Sequence, residues 1–375
     1  MIPFNRPEFA GNETIYLSRC LEQGGLGRQF SRACEAWLAK ECSVEHVHLV
    51  QSATAGLELA VLLCELGPGD EVILPSFTFV ACANAIVLRG ATPVFADIDP
   101  RTLNIDPVAV EASLTPRTRA ILAVHYAGVP CEMDALRAMA DRHGLFLIED
   151  AAQALLSSSL GRPAGSLGDI GVFSFHHSKN VTCGEGGAVV INAKQLALKA
   201  ELMHQHGTNR ASFLRNDVDH YKWLCVGSSF APSDITAAVL LAQLERAHDV
   251  TRRRCALWEQ YQSGFEGLEN DGHVRRPIVP PGVAHNGHIY YLLLENQSAR
   301  NALIETLKAH GIEATFHYVP LHSSPAGIRY ARPGGRLAVT EDLASRLVRL
   351  PLWPGMASAQ EQIIRTVIHA FGSTR

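Results

Sequence analysis

The chain reads as an α/β protein: a large unit on a mostly parallel sheet, followed by a smaller α/β unit. Three observations predict this. From about residue 45 to about residue 192, short apolar runs alternate with amphipathic stretches, the rhythm of βαβ units whose sheet is covered on both faces. From about Gly287 the order strand–helix–strand–helix returns over a shorter stretch. Length and composition agree, since 375 residues exceed one small core, and 47% hydrophobic against 19% charged residues excludes disorder.

The strands of the first unit are expected at His46–Val50, Glu71–Leu74, Thr92–Ala96, Arg119–Val124 and Leu145–Ile148, each a short run rich in Val, Ile, Leu or Ala. Helical periodicity fills Ala53–Leu66 and Met133–His143 between them. A further apolar segment ends in Phe173-Ser-Phe175. Ser233–Gly264, rich in Ala, Leu and Arg, predicts one long helix, which Pro277 to Pro281 terminates. The second unit follows as His288–Glu295 strand, Ala299–His310 helix, Ala314–Val319 strand and Thr340–Arg349 helix. This divides the chain into residues 1–240, the large unit, and 241–375, the small one.

Charge and cysteine usage narrow the function classes. The net charge is -4, which gives no cause for nucleic-acid or membrane-surface binding. No apolar run approaches the ~20 residues of a spanning helix. Met1-Ile-Pro-Phe-Asn-Arg6 lacks the pattern of a signal peptide, and nine scattered cysteines without a Cys-x-x-Cys pair fit the reducing cytoplasm. Seventeen histidines raise the question of a metal, but no His-x-x-x-His sits with a third ligand, so none is expected. Neither a Gly-x-Gly-x-x-Gly after a strand nor a Gly-x-Ser-x-Gly elbow is present, which leaves nicotinamide and serine-hydrolase sites unsupported.

The chemistry concentrates between Glu149 and Asn192. Leu145–Ile148 drives a buried strand into Glu149-Asp150, and Lys179 stands just before the turn Gly184-Glu-Gly-Gly187. A carboxylate at a strand end and a lysine beside glycines are the two groups that pyridoxal phosphate needs. The lysine forms the Schiff base and the carboxylate keeps the pyridine nitrogen protonated. Taken singly, Lys179 is equally a surface lysine and Asp150 equally a helix cap. Gln51-Ser-Ala-Thr-Ala-Gly56 lies at a strand-to-helix junction, where Ser52 and Thr54 suit a phosphate or a plain N-cap, and Ser174 offers another hydroxyl. In Pro75-Ser-Phe-Thr-Phe79 either aromatic fits a ring-stacking role or the core.

These strings, with Gly24-Gly-Leu-Gly27, Glu149-Asp-Ala-Ala-Gln153 and Arg349-Leu-Pro-Leu352, resemble the DegT/DnrJ/StrS sugar aminotransferases over essentially the whole chain. The resemblance implies a pyridoxal-phosphate-dependent transferase of fold type I, with a mostly parallel seven-stranded sheet in the large domain. It implies that Lys179 carries the cofactor, Asp150 pairs its ring nitrogen, Gln153 bonds its ring hydroxyl and Phe79 stacks on it. Thr54, Ala55 and Ser174 match the phosphate contacts. Where most relatives read Gly-Tyr-Asn-Tyr-Arg-Met, this chain has Gly227-Ser-Ser-Phe-Ala-Pro232, so Ser229 stands where the relatives' Asn reaches the phosphate in the partner subunit. That contact implies a homodimer with composite sites.

Further strings, Val124-His-Tyr-Ala-Gly128, Gly207-Thr-Asn-Arg210 and Phe316-His-Tyr-Val-Pro-Leu-His322, are most like those of members that aminate carbon 4 of dTDP-4-keto-6-deoxyglucose. The expected substrates are therefore a nucleotide sugar and L-glutamate, with Arg210, His317 and Tyr318 toward the nucleotide sugar. Amination at carbon 3, the other stereochemistry at carbon 4, a UDP-sugar, and a non-catalytic regulator with this fold stay open.

Overall fold

A computed structural model describes residues 1–9, 11–24 and 27–372. Gly25 and Leu26 of the Gly24-Gly-Leu-Gly27 string lie outside the described residues. The central sheet takes its strands β1 His46–Val50, β2 Glu71–Pro75, β3 Thr92–Ala96, β4 Thr118–Val124, β5 Phe146–Asp150, β6 Ile170–Ser174 and β7 Gly187–Ile191 from the first half of the chain. Their order is β1-β7-β6-β5-β4-β2-β3, and β7 alone runs antiparallel to its neighbours. β2, β6 and β7 are buried along their whole length, as strands covered on both faces must be.

Alternate residues feed the two faces. Val72 and Leu74 join a cluster with Leu57, Leu59 and Val61 of helix α3 (Ala53–Leu63), while Ile73 joins Leu136 and Met139 of the opposite-face helix Met133–His143. The helices α1 (Glu13–Glu22) and α2 (Gln29–Cys42) cover that second face beside Leu49, Phe173 and Val190. An eighth strand, Arg332–Pro333, extends the edge beyond the seven expected. It comes from the C-terminal part, pairs parallel with β3, and is anchored by Arg332 Nη2 to Glu71 Oε2 at 2.7 Å.

The expected long helix over Ser233–Gly264 is two helices, Asp234–Leu244 and Ala247–Gly264. The chain turns at Arg246 (φ -104°, ψ 0°), where Glu245 accepts hydrogen bonds from Tyr16 Oη at 2.7 Å and Asn12 Nδ2 at 3.2 Å. The first helix contributes Ala237, Ala238, Leu240 and Leu244 to the core beneath the large sheet.

The C-terminal part is built on a three-stranded sheet in which β9 (Tyr290–Leu294) lies between β8 (Val274–Arg275) and β10 (Leu347–Leu350). Ala247–Gly264, Gln297–Ala309 and Ala357–Gly372 pack around it, with Tyr261, Phe265 and Tyr290 at the centre. Two expectations fail here. Thr340–Arg349 is not all helix: Ala338–Arg346 is helical, and Leu347 onward pairs antiparallel with β9, so Arg349 lies on a strand. Ala314–Val319 forms no strand. Only Thr315 bridges to Arg349, and the chain then leaves the sheet toward the large one. Among the described residues no helix is long and apolar enough to cross a membrane.

Candidate active site

The carboxyl ends of β1, β5 and β6 and the start of β7 come together at one edge of the sheet. Register places Gly187 beside both Val50 and Ser174. A Cβ on Gly187 would lie 2.7 Å from Ser52 C and Ala53 N and 2.9 Å from Phe173 O, so only glycine lets β7 begin against the N-terminus of α3. A cavity of about 320 Å³ opens here, lined from the large sheet by Ser52, Thr54, Phe79, Asp150, Gln153, Ser174 and Lys179, and from the C-terminal part by Arg254, His288, His317, Tyr318 and Arg349.

Asp150 ends β5 and is buried. Its Oδ1 accepts the Ala152 N–H at 3.0 Å and its Oδ2 the Cys82 thiol at 3.0 Å. Each carboxylate oxygen has a second lone pair, so capacity remains for a further N–H. Lys179 follows β6 in a turn closed by its own N–H to the His176 carbonyl at 2.9 Å. Lys179 is half-buried and lines the cavity. Burial pushes its amine from the ordinary 10.5 down to about 8, with Asp150 opposing the shift and Arg349 adding to it.

Gln153 is held at both ends, Oε1 accepting the Ala127 N–H at 2.8 Å and Nε2 donating to Tyr318 Oη at 3.2 Å. Tyr318 stacks on His317 with centroids 3.8 Å apart, and Arg349 Nη1 donates to His317 Nε2 at 2.7 Å. Of the two aromatics after β2, Phe77 is core at 1% exposure, whereas Phe79 is 58% exposed at the cavity mouth. Ser52 caps α3 by accepting the Ala55 N–H at 3.1 Å, so the Ala55 amide is already engaged and its side chain does not line the cavity.

Nine of the expected residues, Ser52, Thr54, Phe79, Asp150, Gln153, Ser174, Lys179, His317 and Tyr318, share this cavity. Arg210 and Ser229 do not. Arg210 is exposed at the start of a five-residue helix, and Ser229 is exposed with its carbonyl accepting Gln51 Nε2 at 2.8 Å. Sequence reasoning missed Cys82, Arg254, His288 and Arg349. Arg349 carried a signal, a lone cation inside the apolar run Leu347-Val-Arg-Leu350. Among the described residues one trio, His176, His177 and Glu185, has donor atoms within 4.8 Å of one another, with two of the three exposed.

These residues fit pyridoxal phosphate. A cavity-lining lysine of lowered basicity stands near a carboxylate with accepting capacity left. An accessible aromatic lies at the mouth, and hydroxyls meet a helix N-terminus at the far end, where free N–H groups favour an anion. Such a cavity defines an aminotransferase-type site. The chain belongs to the DegT/DnrJ/EryC1/StrS aminotransferase family, which matches residues 12–370. It is 36% identical over 372 residues, 95% of this chain and 93% of the relative, to the spore coat polysaccharide biosynthesis protein SpsC of Bacillus subtilis (strain 168). Its structure is similar to the aminotransferase TlmJ of Streptoalloteichus hindustanus (TM-score 0.91, 33% identity, 100% and 99% of the two chains covered). It is also similar to Spr1654 of Streptococcus pneumoniae in its pyridoxal-phosphate form (TM-score 0.90, 27% identity, 99% of each chain). The protein is a pyridoxal-phosphate-dependent aminotransferase of the sugar aminotransferase family.

Proposed function

We propose that the protein moves the amino group of L-glutamate to the 4-keto carbon of a nucleotide-linked 4-keto-6-deoxy sugar, giving dTDP-4-amino-4,6-dideoxygalactose and 2-oxoglutarate. The observation that carries the reading is Lys179, its amine lowered to about 8, lining one cavity with Asp150. The choice of sugar is supported by the strings around Val124–Gly128, Gly207–Arg210 and Phe316–His322, and by a relative of polysaccharide biosynthesis.

When bound, pyridoxal phosphate supplies the electron sink that makes the α-proton of an amino acid removable. Lys179 Nζ, neutral in a useful fraction near neutral pH, would take that proton and hand it to the cofactor's aldehyde carbon within the glutamate half, and would run the same transfer in reverse in the sugar half. Asp150 would accept the ring N–H and so keep the ring nitrogen protonated. Gln153 orients through the ring hydroxyl, Phe79 covers the ring face, and Thr54 and Ser174 hold the phosphate, the Ala55 amide being taken up by the Ser52 cap. His317 and Tyr318 face the nucleotide sugar, whereas Arg210, exposed and outside this cavity, does not reach it within its own subunit. Ser229, exposed and away from its own cavity, reaches the phosphate in the partner subunit of a homodimer. Nine free cysteines suit a reducing compartment, the cytoplasm.

The test is product analysis. The holoenzyme is incubated with L-glutamate and dTDP-4-keto-6-deoxyglucose, and the sugar proton couplings are read by NMR. An axial amine at carbon 4 is the expected result. An equatorial amine, or turnover only with 3-keto or UDP-sugars, overturns the substrate assignment.

A further inference from the structure

His288 precedes β9 and is only 7% exposed, yet its ring lines the cavity. Its backbone is clamped on both sides. Arg254 donates through Nε to the Gly287 carbonyl at 3.0 Å and through Nη2 to the His288 carbonyl at 2.8 Å. Asn286 Oδ1 accepts the His288 N–H at 3.1 Å, while Asn286 Nδ2 donates to the carbonyls of Gln153 and Leu155, each at 2.9 Å. Gly287, at φ +60°, approaches so closely that a Cβ would lie 2.8 Å from Arg254 C. A rigid turn thus presents the imidazole.

The neighbour of Lys179 determines which ring nitrogen carries the hydrogen. Asn180 Nδ2 donates to the Asn286 carbonyl at 2.9 Å, and a carbonyl only accepts. Asn180 Oδ1 therefore faces His288 Nδ1, at 2.9 Å, and since Oδ1 also only accepts, Nδ1 carries the hydrogen. Burial, then the positive charges of Lys179, Arg254 and Arg349 and the ring of His317, disfavour a second proton. Nε2 is left as a lone-pair acceptor: the hydrogen bonds of His288 among the described residues run through its backbone and Nδ1.

The charged groups nearest to it are ammonium and guanidinium, which only donate and so suit phosphate, carboxylate and carbonyl oxygens. An uncharged acceptor among them suits an O–H. L-glutamate has no hydroxyl, and a sugar has several. We propose that His288 Nε2 accepts a hydrogen bond from a hydroxyl of the sugar substrate, making His288 a specificity residue for the sugar half of the cycle. This rests on the keto-sugar reading above.

The experiment measures the two half-reactions of the holoenzyme separately by cofactor absorbance, for His288→Phe, which removes the acceptor, and His288→Gln, whose Oε1 restores one. The phenylalanine variant is expected to lose about 10- to 100-fold in kcat/KM for dTDP-4-keto-6-deoxyglucose, the worth of one hydrogen bond left unmade in a closed site, and far less in the glutamate half. The glutamine variant is expected to recover part of the sugar loss. A second readout is 15N NMR of histidine-labelled holoenzyme in the pyridoxal form, with the His288 signals assigned by their loss in His288→Gln. The expected spectrum is the neutral Nδ1–H tautomer, with an Nε2 shift on adding the nucleotide sugar. Equal losses in both half-reactions, an Nε2–H or imidazolium signature, or an Nε2 signal unmoved by the sugar each overturn the proposal. If the unaltered enzyme completes the glutamate half but aminates no keto-sugar, the proposed function falls instead, and this contact with it.

Discussion

Cys82 donates its thiol hydrogen to Asp150 Oδ2 across 3.0 Å, with the sulfur fully buried and Thr78 Oγ1 3.4 Å behind it. Burial first, and then the Asp150 charge, push the thiol well above its ordinary pKa, so it remains a donor at every working pH. An S–H is a weak donor, yet it and the Ala152 N–H fix the plane of the carboxylate. Cys82→Ala is therefore expected to cost about 1 kcal/mol of this orientation, a loss of about fivefold in kcat, while Cys82→Ser stays within about twofold. Steady-state kinetics of the two variants decide it. Equal rates for Cys82→Ala and the unaltered enzyme would show that Asp150 is held without the thiol.

The lowered basicity of Lys179 gives a pH prediction with a definite sign. Below about 8 the amine is mostly protonated and unreactive, and its neutral form grows as pH rises through that value. Covalent uptake of pyridoxal phosphate by the apoprotein should accelerate through about pH 8 and then level off, rather than climbing to the ordinary lysine value. Asp150 is the main group opposing the shift, so Asp150→Asn should move the midpoint to lower pH. Stopped-flow absorbance across the pH range measures both.

Gly187→Ala should damage stability and cofactor affinity together. The new Cβ meets backbone on three sides, and backbone cannot swing away. Overpacking of this kind costs about 1–3 kcal/mol, to be read from chemical denaturation of the holoenzyme. Because the clash presses on the first residues of α3, the dissociation constant for pyridoxal phosphate should rise as well. A variant with lowered stability but unchanged affinity would separate the two effects.

Glu149, beside Asp150, is wholly buried and accepts four hydrogen bonds: His125 Nε2 at 2.8 Å and the N–H groups of Gly165 at 2.8 Å, Leu167 at 2.6 Å and Gly168 at 2.5 Å. His125 Nδ1 accepts the Cys131 N–H at 3.1 Å, which leaves the ring hydrogen on Nε2 for Glu149. Removing the carboxylate orphans all these donors. Glu149→Ala should destabilise the protein by about 3–5 kcal/mol, measurable in urea. It is a structural carboxylate, in contrast to its neighbour.

Much of this was legible in the sequence because parallel strands are short, apolar and bounded by turn residues. His46–Val50 and Thr92–Ala96 fall where the pattern placed them, as does the helix Met133–His143. Asp150 and Lys179 were legible as chemistry, a carboxylate closing an apolar run and a lysine before glycines. What was not legible depends on tertiary partners. Nothing in the Ala- and Leu-rich stretch around Arg246 announces a break, because the break follows from Glu245 turning to Tyr16 far away in sequence. Ala314–Val319 has a strand's composition, but its chain departs to carry His317 and Tyr318 into the cavity. His288 reads as one apolar-flanked histidine among seventeen until the fold brings Asn180 against it.

The most direct measurement of the central claim is chemical trapping of the cofactor. The holoenzyme is reduced with borohydride, digested and mapped by mass spectrometry. The phosphopyridoxyl group is expected on the peptide containing Lys179, with none on Lys179→Ala and no turnover by that variant. Modification of another lysine, or near-normal transamination by Lys179→Ala, would contradict that claim.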